Sequence, residues 1–138
     1  MSETTNAAQT NRFPLRLLPG RYAVCRLRPD APVPQWALRP GSTFSCVMRT
    51  PEELSVVCQE AAVPPFVNLA EKGWRAFQLV GPVPFTTTGV ISSLTAPLAA
   101  AGVGVFVLST YDTDYVMVKE ANLEKAQAAL QAAGFTLQ

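Results

Sequence analysis

The chain has 138 residues, 49% hydrophobic and 15% charged, and its 11 basic and 10 acidic side chains leave a net charge of +1. This composition is globular, not disordered, and the length suits one ordinary domain or two very small ones in contact. The near-neutral balance argues against nucleic acid as a partner, since phosphate binding draws on a basic surplus or stripe, and the absence of histidine removes the usual general acid/base and a common zinc ligand.

Cys25, Cys46 and Cys58 are odd in number and lack CxxC spacing, which reads as reduced thiols in a cytoplasmic protein, with no metal site and no cofactor. No apolar run approaches the ~20 residues that span a bilayer, so no membrane partner is expected. Residues 1–12 are polar, lack an apolar h-region and are expected to be a disordered tail.

From Phe13 the chain alternates briefly and turns at Pro19-Gly20. Residues 21–27 (RYAVCRL) are apolar on both faces and predict a central strand. Four prolines over 28–40 leave room only for a helical turn at 34–38, with Trp36 packing down as a lid. Residues 43–49 and 54–60 predict a hairpin around Thr50-Pro51-Glu52-Glu53. Residues 66–72 predict a short helix stopped by Gly73. A strand over 74–80 follows, and then a loop over 81–89.

Thr88 or a neighbour is the expected N-cap of a helix reaching about residue 101, with Pro97 as a kink. Residues 105–109 and 114–119 predict a second hairpin. Asn122 opens an amphipathic helix that Gly134 ends. Strand, helix, strand, strand, helix make a ferredoxin-like α+β half-sandwich, short of one strand for which 135–137 offers only a stub. Residues 44–60 line up loosely with 106–120, a weak repeat at a spacing of about 60 residues. The domains read as 13–72 and 73–138, with the two sheets side by side.

The stretches FQLVGPVPF (77–85), GVISSLTAPLAAAGV (89–103) and VFVLSTYDTDYVMV (105–118) resemble an ACT domain. From about Phe13 the chain resembles the small bacterial tandem-ACT proteins, similar to the regulatory ACT pair of aspartate kinases and to the ACT repeats of cytosolic arginine sensors. The N-terminal half departs from the pattern, with a proline-rich turn where the first helix belongs, and so resembles a degenerate ACT unit. The resemblance implies an allosteric regulatory module, in which an amino acid sits between the loop after the first strand and the second strand of a paired domain.

Carried over, the ligand residues are Phe85, Thr86, Thr87, Thr88, Gly89 and Val90 on the loop, and Gly104, Val105 and Phe106 on the strand. A loop that leads into a helix N-terminus suits a carboxylate, and Asp112 or Asp114 could hold an ammonium or a cationic side chain. Asp112 and Asp114 can equally be turn residues bonded to their own backbone, and Thr86 to Thr88 a capping run. The expected protein is not an enzyme, because no nucleophile has a base beside it. It binds an amino acid and forms a homodimer. The alternative is a protein-interaction module with a decayed pocket that acts on a partner enzyme.

Overall fold

The structure, a computed structural model, describes residues 13–39 and 44–138. The tail expected over 1–12 and the strand start expected at Thr43 lie outside them. The elements are β1 (Leu15–Leu17), β2 (Tyr22–Leu27), β3 (Cys46–Arg49), β4 (Leu54–Gln59), β5 (Ala70–Leu79), α1 (Val90–Ala100), β6 (Phe106–Ser109), β7 (Asp114–Lys119) and α2 (Leu123–Ala132). Short 3-10 turns stand at Gln35–Leu38, Glu60–Ala62 and Glu120–Asn122. The chain divides into two units, Pro19–Trp74, and Arg75–Gln138 together with 13–18.

In the N-terminal unit, β2 runs antiparallel to β4 from Tyr22↔Gln59 to Leu27↔Leu54. β3 continues the sheet beyond β4. The other edge of β2 takes the first half of β5, pairing Cys25 with Ala70 and Val24 with Glu71. The helix expected over 66–72 is therefore replaced by strand from Ala70 onward, because pairing with β2 satisfies backbone groups that a single helical turn would leave open. The register shifts between Tyr22 and Val24. Lys72 and Gly73 together stand opposite the single Ala23, a bulge in which Gly73 takes φ 81° and donates its N–H to Glu60 Oε1 at 2.8 Å.

The core of this unit is Ala23, Cys25, Ala37, Leu54, Val56 and Cys58, with Trp36 packed against it. Burial pushes the Cys58 thiol up to about 11, with Cys25 adding to the effect. Burial also raises Cys25 and Cys46.

In the C-terminal unit, β7 lies beside β5 and β6 beyond it. The strand missing from the ferredoxin-like order is supplied by β1, antiparallel to β5 with Leu15↔Leu79 and Leu17↔Phe77. The stub after Gly134 contributes a single bridge, Leu15↔Leu137. Leu15 N–H donates to the Thr136 carbonyl at 2.8 Å and Gln138 N–H to the Leu15 carbonyl at 2.7 Å. Residues 13–18 thus belong with the C-terminal unit, not with the N-terminal unit where local reading placed them.

Both helices cover one face of this sheet. Val90, Leu94 and Leu98 of α1 recur every four residues and are buried, as are Ala126 and Leu130 of α2. They enclose Leu15, Phe77, Leu79, Val116 and Val118. α1 is continuous through Pro97. Each helix ends on a glycine, Gly102 at φ 75° and Gly134 at φ 102°. The following residue bonds back, Val103 N–H to the Leu98 carbonyl at 2.9 Å and Phe135 N–H to the Leu130 carbonyl at 3.0 Å, and both residues are buried.

The two units repeat one another in detail. Thr50 N–H and Thr110 N–H each donate 2.8 Å to the carbonyl three residues on, Glu53 and Thr113. The Thr50 and Thr110 hydroxyls accept from those same residues' N–H groups at 3.1 and 3.2 Å. Glu60 pairs with Arg21 at 3.4 Å and Glu120 with Arg75 at 3.7 Å. The weak sequence repeat is therefore a structural one, offset by 60 residues in the turn and in the strand after it.

Candidate functional site

The loop between β5 and α1 and the β6–β7 turn approach each other and enclose an open groove of about 490 Å³. That volume suits a small ligand. Three contacts hold the walls together. Val83 N–H donates to the Asp112 carbonyl at 2.8 Å. Thr113, buried, donates its hydroxyl to the Leu79 carbonyl. Phe85 and Tyr111 meet edge to face across the groove, with ring centroids 4.9 Å apart. Gly81 makes the close approach possible, because a Cβ there would stand 2.7 Å from Val83 N and 3.3 Å from the Asp112 carbonyl oxygen.

The two sides differ in electrostatic character. On one side α1 begins at Val90. Its cap position is Gly89 at φ 76°, with no side-chain cap, so the cap falls on a left-handed glycine and not on Thr88. The opening N–H groups of a helix have no intrahelical acceptor and carry the positive end of its dipole. Val90, Ile91 and Ser92 line the groove there. On the other side stand the carboxylates of Asp112 and Asp114, and Ser109 donates its hydroxyl to Asp114 Oδ1 at 2.5 Å.

Of the residues singled out from sequence, Phe85, Thr87, Gly89, Val90, Asp112 and Asp114 line the groove. Thr86 and Thr88 share the loop but are not among the lining residues. Gly104, Val105 and Phe106 lie at the start of β6, whereas the groove is at its end, by Ser109. Tyr111 and Thr113 were not singled out as site residues. Tyr111 is 82% exposed, with its ring against Phe85. Only a contact with Leu79, 34 residues away, reveals what Thr113 does.

Thr113→Val keeps the shape of the side chain and leaves the Leu79 carbonyl without its donor. It should cost about 1–3 kcal/mol in urea unfolding and loosen the turn.

An ACT-domain family model matches residues 69–132, and a model of an N-terminal domain matches residues 20–65. The C-terminal stretch 69–132 thus matches the ACT-domain family, and the fold is ferredoxin-like α+β with two ACT-like units. A crystal structure of an Agrobacterium tumefaciens protein is similar to it at 37% identity and TM-score 0.83, over 91% of this chain and 92% of that one. The regulatory subunit of aspartate kinase from Thermus thermophilus, at 15% identity and TM-score 0.59 over 84% of this chain and 93% of that one, shares the fold. The Bos taurus protein named cytosolic arginine sensor for mTORC1 subunit 1 is 32% identical over 90 residues, which is 58% of this chain and 27% of the sensor. The chain thus spans about a quarter of the length of that curated relative. No helix among the described residues is long and apolar enough to cross a membrane.

Proposed function

We propose that the protein is a non-catalytic regulatory module that binds an amino acid in the groove between residues 83–92 and 109–114. The observation that carries this reading is the pairing of an uncapped helix N-terminus with two carboxylates across one small groove. A zwitterion has its carboxylate and ammonium placed for those two sides. The ACT-domain match over residues 69–132 and the amino acid in the name of the bovine relative support the same reading. Burial holds the thiols protonated at neutral pH, which argues against cysteine chemistry. A cytoplasmic homodimer, in which the 104–106 strand start of a second copy meets the loop, belongs to the same proposal.

A thermal-shift screen of the twenty amino acids tests it. A ligand at 100-fold its Kd stabilises the fold by about 2.7 kcal/mol, roughly 5–10 °C for a chain of this size. No response to any of them at millimolar concentration would overturn the proposal. The second reading, a protein-interaction surface acting on a partner enzyme, draws on Phe85 and Tyr111, which are 73% and 82% exposed at the groove. It predicts no small-molecule shift.

A further inference from the structure

The repeat invites a comparison of the same corner in each unit. In the C-terminal unit the 110–113 turn faces the loop after β5, and the space between them is open. In the N-terminal unit the 50–53 turn stands in the equivalent place. β6 ends on Ser109 and β3 on Arg49, each the residue before the turn threonine. Ser109 lines an open groove. Arg49 instead reaches into the loop after β2, where its Nη1 donates to the Pro29 carbonyl and its Nη2 to the Ala31 carbonyl at 2.8 Å. The next tie is also matched. The Asp112 carbonyl accepts from Val83 N–H, and the equivalent Glu52 carbonyl accepts from Arg26 Nη2 at 3.1 Å.

We propose that the N-terminal unit holds a second copy of the ligand corner, occupied by its own Arg49 as a built-in guanidinium ligand on the Pro29 and Ala31 carbonyls. A planar fork that donates to two oxygens at once is what distinguishes guanidinium from ammonium. Two main-chain carbonyls in one turn of loop present such a pair, and nothing larger than a small cation is needed to bridge them. Arg49 is solvent-accessible, so an added cation has a path in. The unit with the long helix keeps its corner open, and the unit whose loop holds only a 3-10 turn has closed its own from within.

Removing the side chain tests this. Arg49→Ala should lower the melting temperature by roughly 4 °C. Methylguanidine at millimolar concentration should restore a large part of that loss and leave the parent chain unmoved. Methylammonium should do neither. In Arg49→Lys the stem and charge still fill the corner, so no response to methylguanidine is expected. Arg49→Gln, a gentler change that keeps the fold, should respond as the alanine variant does. Equal shifts in parent and variants, no shift in either Arg49→Ala or Arg49→Gln, or equal rescue by methylammonium would each overturn the proposal. The readout concerns residues 29–31 and 49, so it stands or falls independently of amino-acid binding in the C-terminal groove.

Discussion

Leu15→Ala is expected to lower the unfolding free energy by about 2–5 kcal/mol, the range for truncating a buried leucine. Leu15 is 1% exposed and sits in the core with Phe77, Leu79, Leu130 and Phe135. It belongs to a strand of only three residues, which has little stability of its own. What it contributes is completion. β1 covers the edge of β5 and ties down the C-terminal stub through Thr136 and Gln138. An open sheet edge would leave a row of backbone groups unpaired. The loss is a large part of the 5–15 kcal/mol typical of a whole domain. Urea unfolding of Leu15→Ala beside Leu17→Ala measures it, and the partly buried Leu17 should cost less. A loss under about 0.5 kcal/mol, the scale of an ordinary surface substitution, would show that β1 is dispensable.

Replacing Asp112 and Asp114 together by asparagine should weaken binding of the amino acid selected in the thermal screen about 10–100-fold. That corresponds to the roughly 1.5–3 kcal/mol of a hydrogen bond to a charged group. The walls of the groove should survive. The tie to Val83 uses the Asp112 main-chain carbonyl, and an asparagine at 114 can still accept from Ser109. The stability of the unliganded protein should therefore change little. Isothermal titration at two salt concentrations separates charge from shape, since the parent should lose affinity with salt and the double variant much less. An unchanged Kd would remove the carboxylates from the site and leave the helix N-terminus as its only charged feature.

Much of the C-terminal unit was legible because its signals are local. Val90, Leu94 and Leu98 announce a helix by spacing alone, and Gly102 and Gly134 announce where the helices stop. The LSTYDTDY hairpin carries its turn chemistry within four residues, from Thr110 to Thr113. Half of the groove could be anticipated for the same reason, since Phe85, Thr87, Gly89 and Val90 are consecutive or nearly so on one loop. Tyr111, Ser109 and Thr113 could be placed only once the turn was seen folded against that loop. The N-cap was legible to within a residue, Thr88 or a neighbour, and the left-handed backbone at Gly89 decides which.

The sequence by itself determined the class of this protein. Alternation and helical spacing set its α+β order, the 44–60 and 106–120 stretches set its internal repeat, and the absence of histidine removed the familiar catalytic pairs. Pairing at long range was decided only by the tertiary structure. Leu15 meets Leu79 and Leu137, and Ala70 meets Cys25. Such contacts depend on which exposed edge a passing strand can satisfy. A strand's own residues encode its faces but not its neighbour, so β1 changed units and the expected 66–72 helix gave way to strand. The same reason hid the corner filled by Arg49. An arginine at the end of a strand reads as a surface charge until two carbonyls 18 and 20 residues away are found beneath it.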